Sequence, residues 1–295
     1  MVETRQVETQ ITFPSGELEL SGVLHTPEDC RVGERRPAFL VLHGFGGNKA
    51  NSGSVTITEQ LVRWGYVALR FDFRGCGESG GELAWILCED QVEDTRNALT
   101  YLAACPEVDP GRIALIGSSF GAAVAVYSGG VDERVAAVVS SGGWGDGERK
   151  FRRQHPTAEA WQRFTDMLVR GREHRDRTGE SLMVPRFDIV PIPEHLRGNL
   201  NEASVMEFPA ETAQSMFDFR ADDVVGRIAP RPLLLLHSAN DSVTPTEESI
   251  EMFRRASQPA ELHLLSEVDH FMFGEENPRV LQLTLDWLNR YFPAN

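Results

Sequence analysis

The chain has 295 residues, 41% hydrophobic and 25% charged, which excludes wholesale disorder and suffices for one large core or for a core carrying an inserted segment. Its 29 Lys and Arg stand against 44 Asp and Glu, a formal net charge of −15 that disfavours nucleic acid or an anionic membrane as partner. The first ten residues contain no apolar signal-peptide core and no window reaches 18 apolar residues, so we expect a cytoplasmic protein without an export signal or membrane partner.

Residues 10–14 and 18–24 are the first apolar runs, and Ser15, Gly16 and Glu17 between them suit an antiparallel hairpin at a sheet edge. Further runs follow at 38–42, 66–71, 113–116, 135–139, 233–236 and 262–265. Stretches with helical spacing lie between most of them, at 56–64, 91–104, 119–127, 247–253 and 279–287. Strands that are apolar along their length and separated by helices predict an open α/β layer whose parallel sheet is covered on both faces. The cysteines at 30, 76, 88 and 105 have the spacing of neither a redox pair nor a zinc site and are read as free thiols or small core residues.

The rhythm fails for about 90 residues between Ser141 and Arg231. Here stand a charged amphipathic stretch at 159–170, a Pro-rich irregular stretch at 185–193 and a helical segment at 210–217. So long an excursion, too polar for core, reads as a helical lid at 144–222 inserted over the carboxyl edge of the sheet, with 1–143 and 223–295 forming the α/β core. Residues 144–200 carry eleven Arg and Lys against nine Asp and Glu, whereas the remainder carries eighteen against thirty-five. Two readings stand: a solvated helical face with i,i+4 pairs, or one or two arginines between 149 and 197 that face a pocket and hold a substrate carboxylate with their two-pronged donors.

The run at 113–116 leads directly into Gly117-Ser118-Ser119-Phe120-Gly121 and then an Ala-rich helix. Strand, tight turn and helix around G-x-S-x-G describe a nucleophile elbow at Ser119; the alternative is a strand-to-helix turn with a capping serine. Glycines two before and two after Ser119 let strand and helix approach without Cβ clashes, while Ser118 lies one position out of that frame. A serine nucleophile needs a base for its proton and a carboxylate that holds the base in the right tautomer. Asp241, at the end of the 233–236 run and ahead of Pro245, faces the same sheet edge as Ser119, and His270 follows the last strand. Asp146 after the preceding strand competes for the acid, and Asp269 adjoins His270 too closely in sequence to orient its ring. His25 and His263 lie on strands, His155, His174 and His195 in the excursion, and His237 at the strand end before Asp241.

Together with Leu42-His43-Gly44-Phe45-Gly46-Gly47-Asn48-Lys49 and the loop from Arg70 to Gly80, these motifs resemble the α/β-hydrolase superfamily from about residue 10 to 292. Within it the chain is similar to the bacterial cinnamoyl and feruloyl esterase type, with Cys76 standing where many relatives have histidine. The resemblance implies an α/β-hydrolase fold: a mostly parallel eight-stranded sheet with helices on both faces and an inserted lid. It implies the order Ser119, Asp241, His270 for the triad, backbone N–H donors from Phe45 and Phe120 for the oxyanion, and a scaffold role for His43; Asp72 is read as tying the 70–80 loop. The implied activity is hydrolysis of a small-molecule carboxylic ester through an acyl-enzyme, the substrate bearing a carboxylate or an aromatic acyl group, in a monomer or homodimer. The same machinery would serve a carbon–carbon bond hydrolase of a keto-containing aromatic breakdown product, or an amidase; a non-catalytic binding protein would be expected to have lost a triad member. No cofactor or metal is expected, since Gly44-x-Gly46-Gly47 lacks dinucleotide spacing and no His, Cys and acid cluster has ligand spacing.

Overall fold

The computed structural model describes residues 6–275 and 277–294. The expected hairpin runs further than its apolar core: β1 (Gln6–Ser15) and β2 (Leu18–Pro27) pair antiparallel from Gln6 opposite Pro27 to Ser15 opposite Leu18. The turn shrinks to Gly16 and Glu17, with Gly16 at φ 61°, a conformation in which glycine has no Cβ penalty. In chain order there follow β3 (Arg36–Leu42), α1 (Ser52–Arg63), β4 (Val67–Phe71), α2 (Cys88–Ala104), β5 (Val108–Ser118), α3 (Phe120–Val131) and β6 (Val135–Ser141). After the excursion the core resumes with its last two sheet strands and the final helices.

The excursion contains α4 (Gly147–Gln154), α5 (Ala158–Thr178), β7 (Met183–Pro185), α6 (Arg186–Ile189), β8 (Glu207–Pro209) and α7 (Ala210–Asp218), with β7 and β8 forming a small antiparallel ribbon. The core then closes with β9 (Leu233–Ser238), α8 (Glu247–Arg255), β10 (Ala260–Leu265) and α9 (Pro278–Tyr291). The main sheet has eight strands in the order β1-β2-β4-β3-β5-β6-β9-β10; β2 is antiparallel to β1 and β4, and every other pairing is parallel.

The continuous apolar runs are explained by two-sided burial. Along β3, Ala38, Leu40 and Leu42 enter one core while Phe39 and Val41 enter another, and β9 divides Leu233 and Leu235 from Leu234 and Leu236 in the same way. The second core takes Ile57, Leu61 and Val62 of α1 and Val280, Trp287 and Leu288 of α9. The first takes Val92, Leu99 and Leu102 of α2 and Val124 and Val126 of α3, so helices cover both faces.

The excursion is less superficial than its polarity suggests. Phe151, Phe164, Met167, Leu168, Val184, Ile189 and Phe208 are buried in the same cluster as the sheet. In α5 the buried positions 164, 167, 168 and 171 fall on one stripe, and the polar residues that dominate its composition lie on the other side. Thr157 caps its first turn by accepting the Ala160 N–H at 3.1 Å, and Gly179 ends it at φ 78°. Among the described residues no helix is long and apolar enough to cross a membrane.

At the centre of the carboxyl edge, β5 passes into α3 through Ser119, which is held at φ 56° and ψ −115°. Its N–H donates to Ser141 C=O at 2.8 Å, tying the turn to the end of β6. The glycine frame is steric: a Cβ on Gly117 would lie 2.2 Å from Gly121 O, and one on Gly121 would lie 2.4 Å from Leu42 O. Both obstacles are main chain, which has no rotamer to yield. G121A should therefore cost about 1–3 kcal/mol or more in urea unfolding, from forced backbone shifts; parental stability would show that the strand and helix do not meet as closely as described.

Candidate active site

Three expected side chains meet at the carboxyl edge. Ser119 Oγ lies 2.8 Å from His270 Nε2, and His270 Nδ1 lies 2.9 Å from Asp241 Oδ2. An ionised carboxylate only accepts, so Nδ1 carries the ring proton and Nε2 offers its lone pair to the serine hydroxyl. The space for the ring depends on Gly142, at φ 62°, where a Cβ would stand 3.3 Å from His270 Nδ1.

Asp241 is fixed from several sides. Its Oδ1 accepts the N–H groups of Val243 at 2.8 Å and Thr244 at 2.7 Å, so the turn after β9 closes on its own side chain. His237, fully buried, stands with Nε2 3.3 Å from Asp241 Oδ2 and 3.0 Å from Thr244 C=O, and with Nδ1 2.6 Å from Ser249 Oγ. Facing two acceptors, Nε2 is the protonated nitrogen, and His237 is a second imidazole on the same carboxylate. Burial works to raise the Asp241 pKa, but the attraction of His270 and hydrogen bonds from His237 and His270 outweigh it and hold the carboxyl well below its usual range. The strand position of His237 was visible in sequence; its contact with Asp241 was not.

The neighbouring acids and Cys76 make other contacts. Asp269 accepts Ser242 N–H at 2.8 Å, Ser242 Oγ–H at 2.6 Å and His270 N–H at 2.8 Å, and so joins the loop of Asp241 to the loop of His270. Asp146 caps α4 by accepting Arg149 N–H at 2.9 Å and faces Arg220 at 3.4 Å, whereas the His270 ring is bonded by Asp241. Asp72 accepts Lys49 N–H at 2.5 Å and Glu78 N–H at 2.9 Å and pairs with Lys49 Nζ at 2.6 Å, tying the 70–80 loop to the loop after β3. Cys76 is buried, and burial pushes its thiol up, away from the reactive thiolate.

Phe45 and Phe120 bring their main chains to the same edge. Phe120 is the first residue of α3, so its N–H has no intrahelical acceptor. The Phe45 amide shares a peptide plane with Gly44 C=O, and that carbonyl accepts His43 Nδ1–H at 2.9 Å and Gly47 N–H at 3.0 Å. In a trans peptide the N–H then points the opposite way. His43 is itself oriented by Phe73 N–H, which donates to Nε2 at 3.2 Å; burial lowers its pKa, so the neutral tautomer is kept.

Ser119 and His270 open onto a cavity of about 70 Å³. Val243, Phe271 and Phe273 form its core side, Val190, Ile192 and Leu200 come from the excursion, and Asn51, Ser52 and Asn199 supply polar groups; among the described residues no Asp or Glu lines it. Of the arginines between 149 and 197, Arg186 alone lines this cavity among the described residues. Arg149 is paired with Asp222 at 2.8 Å and Glu248 at 2.7 Å, Arg153 with Glu247 at 2.8 Å, and Arg152 and Arg197 lie over the rings of Trp161 and Phe187. Among the described residues no group of three or more His, Cys, Asp or Glu side chains is arranged to hold a metal ion.

A family model described as "Alpha/beta hydrolase family" matches residues 39–283. The chain is 26% identical to the quorum-quenching protein AidA of Acinetobacter baumannii, over 98% of this chain and 97% of that protein. It is 27% identical to the polyketide transferase grgF of a Penicillium species, over 96% of this chain and 99% of the other. Its fold matches the structure of Est1E from Butyrivibrio proteoclasticus with ferulic acid bound, at TM-score 0.66 and 16% identity, over 95% and 97% of the two chains.

The lowered Asp241 pKa carries a pH signature. A carboxyl whose pKa falls on folding contributes stability that is fully present above the unfolded value, about 4, and is lost as pH drops through the folded value. In D241N that contribution is gone. The difference in unfolding free energy between parent and D241N, from urea titrations, should therefore change between about pH 5 and pH 3 in the sense of a shrinking parental advantage; a difference constant across that window contradicts the ionised, stabilised Asp241.

Proposed function

The chain belongs to the alpha/beta hydrolase family, and from that premise we propose that it is a serine hydrolase cleaving a carboxylic ester through an acyl-enzyme on Ser119. The observation that carries the reading is the unbroken chain from Asp241 through His270 to Ser119, on an elbow that faces the cavity. As Ser119 Oγ attacks the ester carbonyl, His270 Nε2 takes the hydroxyl proton, and Asp241 stabilises the imidazolium that forms. The N–H groups of Phe45 and Phe120 receive the negative charge on the carbonyl oxygen. Collapse of the tetrahedral intermediate expels the alcohol, which takes the proton from His270; water then repeats the sequence and releases the acid.

The cavity supports a compact apolar or aromatic acyl group. Val190, Ile192, Leu200, Phe271 and Phe273 offer it apolar walls. Arg186, the cavity arginine, has both Nη groups on main-chain carbonyls, which leaves the carboxylate-holding reading without its two-pronged donor. A second reading, acyl transfer from a thioester, is favoured by the likeness to a polyketide transferase over nearly the whole chain; it uses the same acyl-enzyme and differs in the acceptor.

The test is a panel of p-nitrophenyl esters of increasing chain length, a feruloyl ester and an acyl thioester, run on the parent and on S119A. The parent should turn over esters of short or aromatic acids, with no divalent ion required, and S119A should lose at least about 10³-fold in kcat, since the oxyanion donors alone retain only residual catalysis. Equal turnover by S119A would overturn the reading, and a parent that cleaves only the thioester, with transfer to an added alcohol, would establish the second.

A further inference from the structure

Arg186, the first residue of α6, is 3% exposed, and among the described residues no carboxylate oxygen lies within pairing distance of it. A guanidinium buried without a counter-ion is costly, and the burial pulls its pKa down to about 10 without removing its charge at neutral pH. Its two Nη groups donate to main chain instead, while its Nε–H is buried without a partner among the described residues. Nη2 donates to Phe45 C=O, and Nη1 donates to Val205 C=O at 2.7 Å and Gly46 C=O at 3.4 Å. The guanidinium also lies 5.3 Å from the Phe45 ring and 5.9 Å from the Phe208 ring, which stack on each other at 4.2 Å. Val205 N–H adds a bond to Gly46 C=O at 2.9 Å.

The loop after β3 is thus held on two sides. His43 fixes the peptide plane that contains the Phe45 N–H, and Arg186 fixes the next plane, which contains the Phe45 C=O. Gly46 completes the clamp: at φ 52°, a Cβ there would stand 2.4 Å from the Phe208 ring and 3.0 Å from Arg186 Nη1. Resting on the serine-hydrolase reading above, we propose that Arg186 is a positioning residue of the oxyanion site, through which the excursion holds the Phe45 amide toward the carbonyl bonded by Ser119. The negative charge that develops on that carbonyl oxygen is the counter-charge the resting site lacks.

The test is the rate at which a fluorophosphonate labels Ser119, which requires no knowledge of the substrate. In that reaction Ser119 Oγ bonds to phosphorus, the P–F bond breaks, fluoride leaves and His270 takes the hydroxyl proton, with the phosphoryl oxygen in the oxyanion site. R186M keeps an apolar stem beside the stacked rings and should be labelled about 10- to 100-fold more slowly than the parent, short of the roughly 10²–10³-fold found when an oxyanion donor is itself removed. In R186A, added ethylguanidinium should restore much of the lost rate, a recovery that general loosening of the fold would not give. If R186M does not fold, judged by far-UV circular dichroism, R186K, which keeps the charge but not the fork, should still be labelled several-fold more slowly than the parent. Parental labelling rates in R186M, or in a folded R186K together with no guanidinium effect in R186A, overturn the proposal. S119A separates the two claims: a parent that is not labelled, or is labelled equally in S119A, overturns the serine reading and this inference with it.

Discussion

A serine at φ 56° and ψ −115° is in a conformation its own turn cannot stabilise, and the arrangement of the site follows from how the fold enforces it. The strain persists because β5 on one side and α3 on the other are fixed independently. β5 lies between β3 and β6 in the middle of the sheet, and α3 packs with Ala122 to Val126 fully buried. Gly117 and Gly121 remove the Cβ atoms that would keep α3 away from β5 and from the end of β3. The hydroxyl is thereby placed at the edge where the loops after β3, β6, β9 and β10 also end.

Those loops are tied to one another rather than left as separate arms. Asp269 binds the β9 loop to the β10 loop, Asp72 and Lys49 bind the β4 loop to the β3 loop, and Arg186 binds the excursion to the β3 loop. Each tie contains a charged group bonded to main-chain N–H or C=O, and such bonds are stronger and more directional than apolar contacts. The result is a site with little freedom in its acceptor and donor positions, which is what stabilisation of a developing charge requires. The chain carries −15 overall, yet among the described residues no acid lines the cavity, and Asp241 bonds the His270 nitrogen opposite the one that faces Ser119. A developing anion in the cavity meets donors rather than like charge.

What could be read from the sequence is what local pattern determines. The eight strands, the helices between them and the elbow at Ser119 rest on runs of a few residues, and the family resemblance, followed along the chain order, pointed to Asp241 and His270, which the fold brings to hydrogen-bond distance. Long-range packing was not legible. Arg186 meets Phe45 across 141 positions, and nothing near either residue signals the contact. The excursion looked too polar for core because its apolar residues sit on single helical stripes, as in α5, and average composition hides a stripe. The arginine excess there invited a carboxylate-binding interpretation; in the fold most of those arginines hold the excursion together or sit on its surface, and the one at the cavity grips main chain.

The central claim is that an acyl group passes through a covalent bond to Ser119 Oγ. The direct measurement is mass spectrometry of protein acid-quenched within the first turnovers of a slow ester, followed by peptide mapping. The account predicts a mass increase equal to the acyl group, located on the peptide containing Ser119, that decays as product acid appears. Turnover without any acyl adduct, or an adduct on another residue that forms and decays at the catalytic rate, would contradict it.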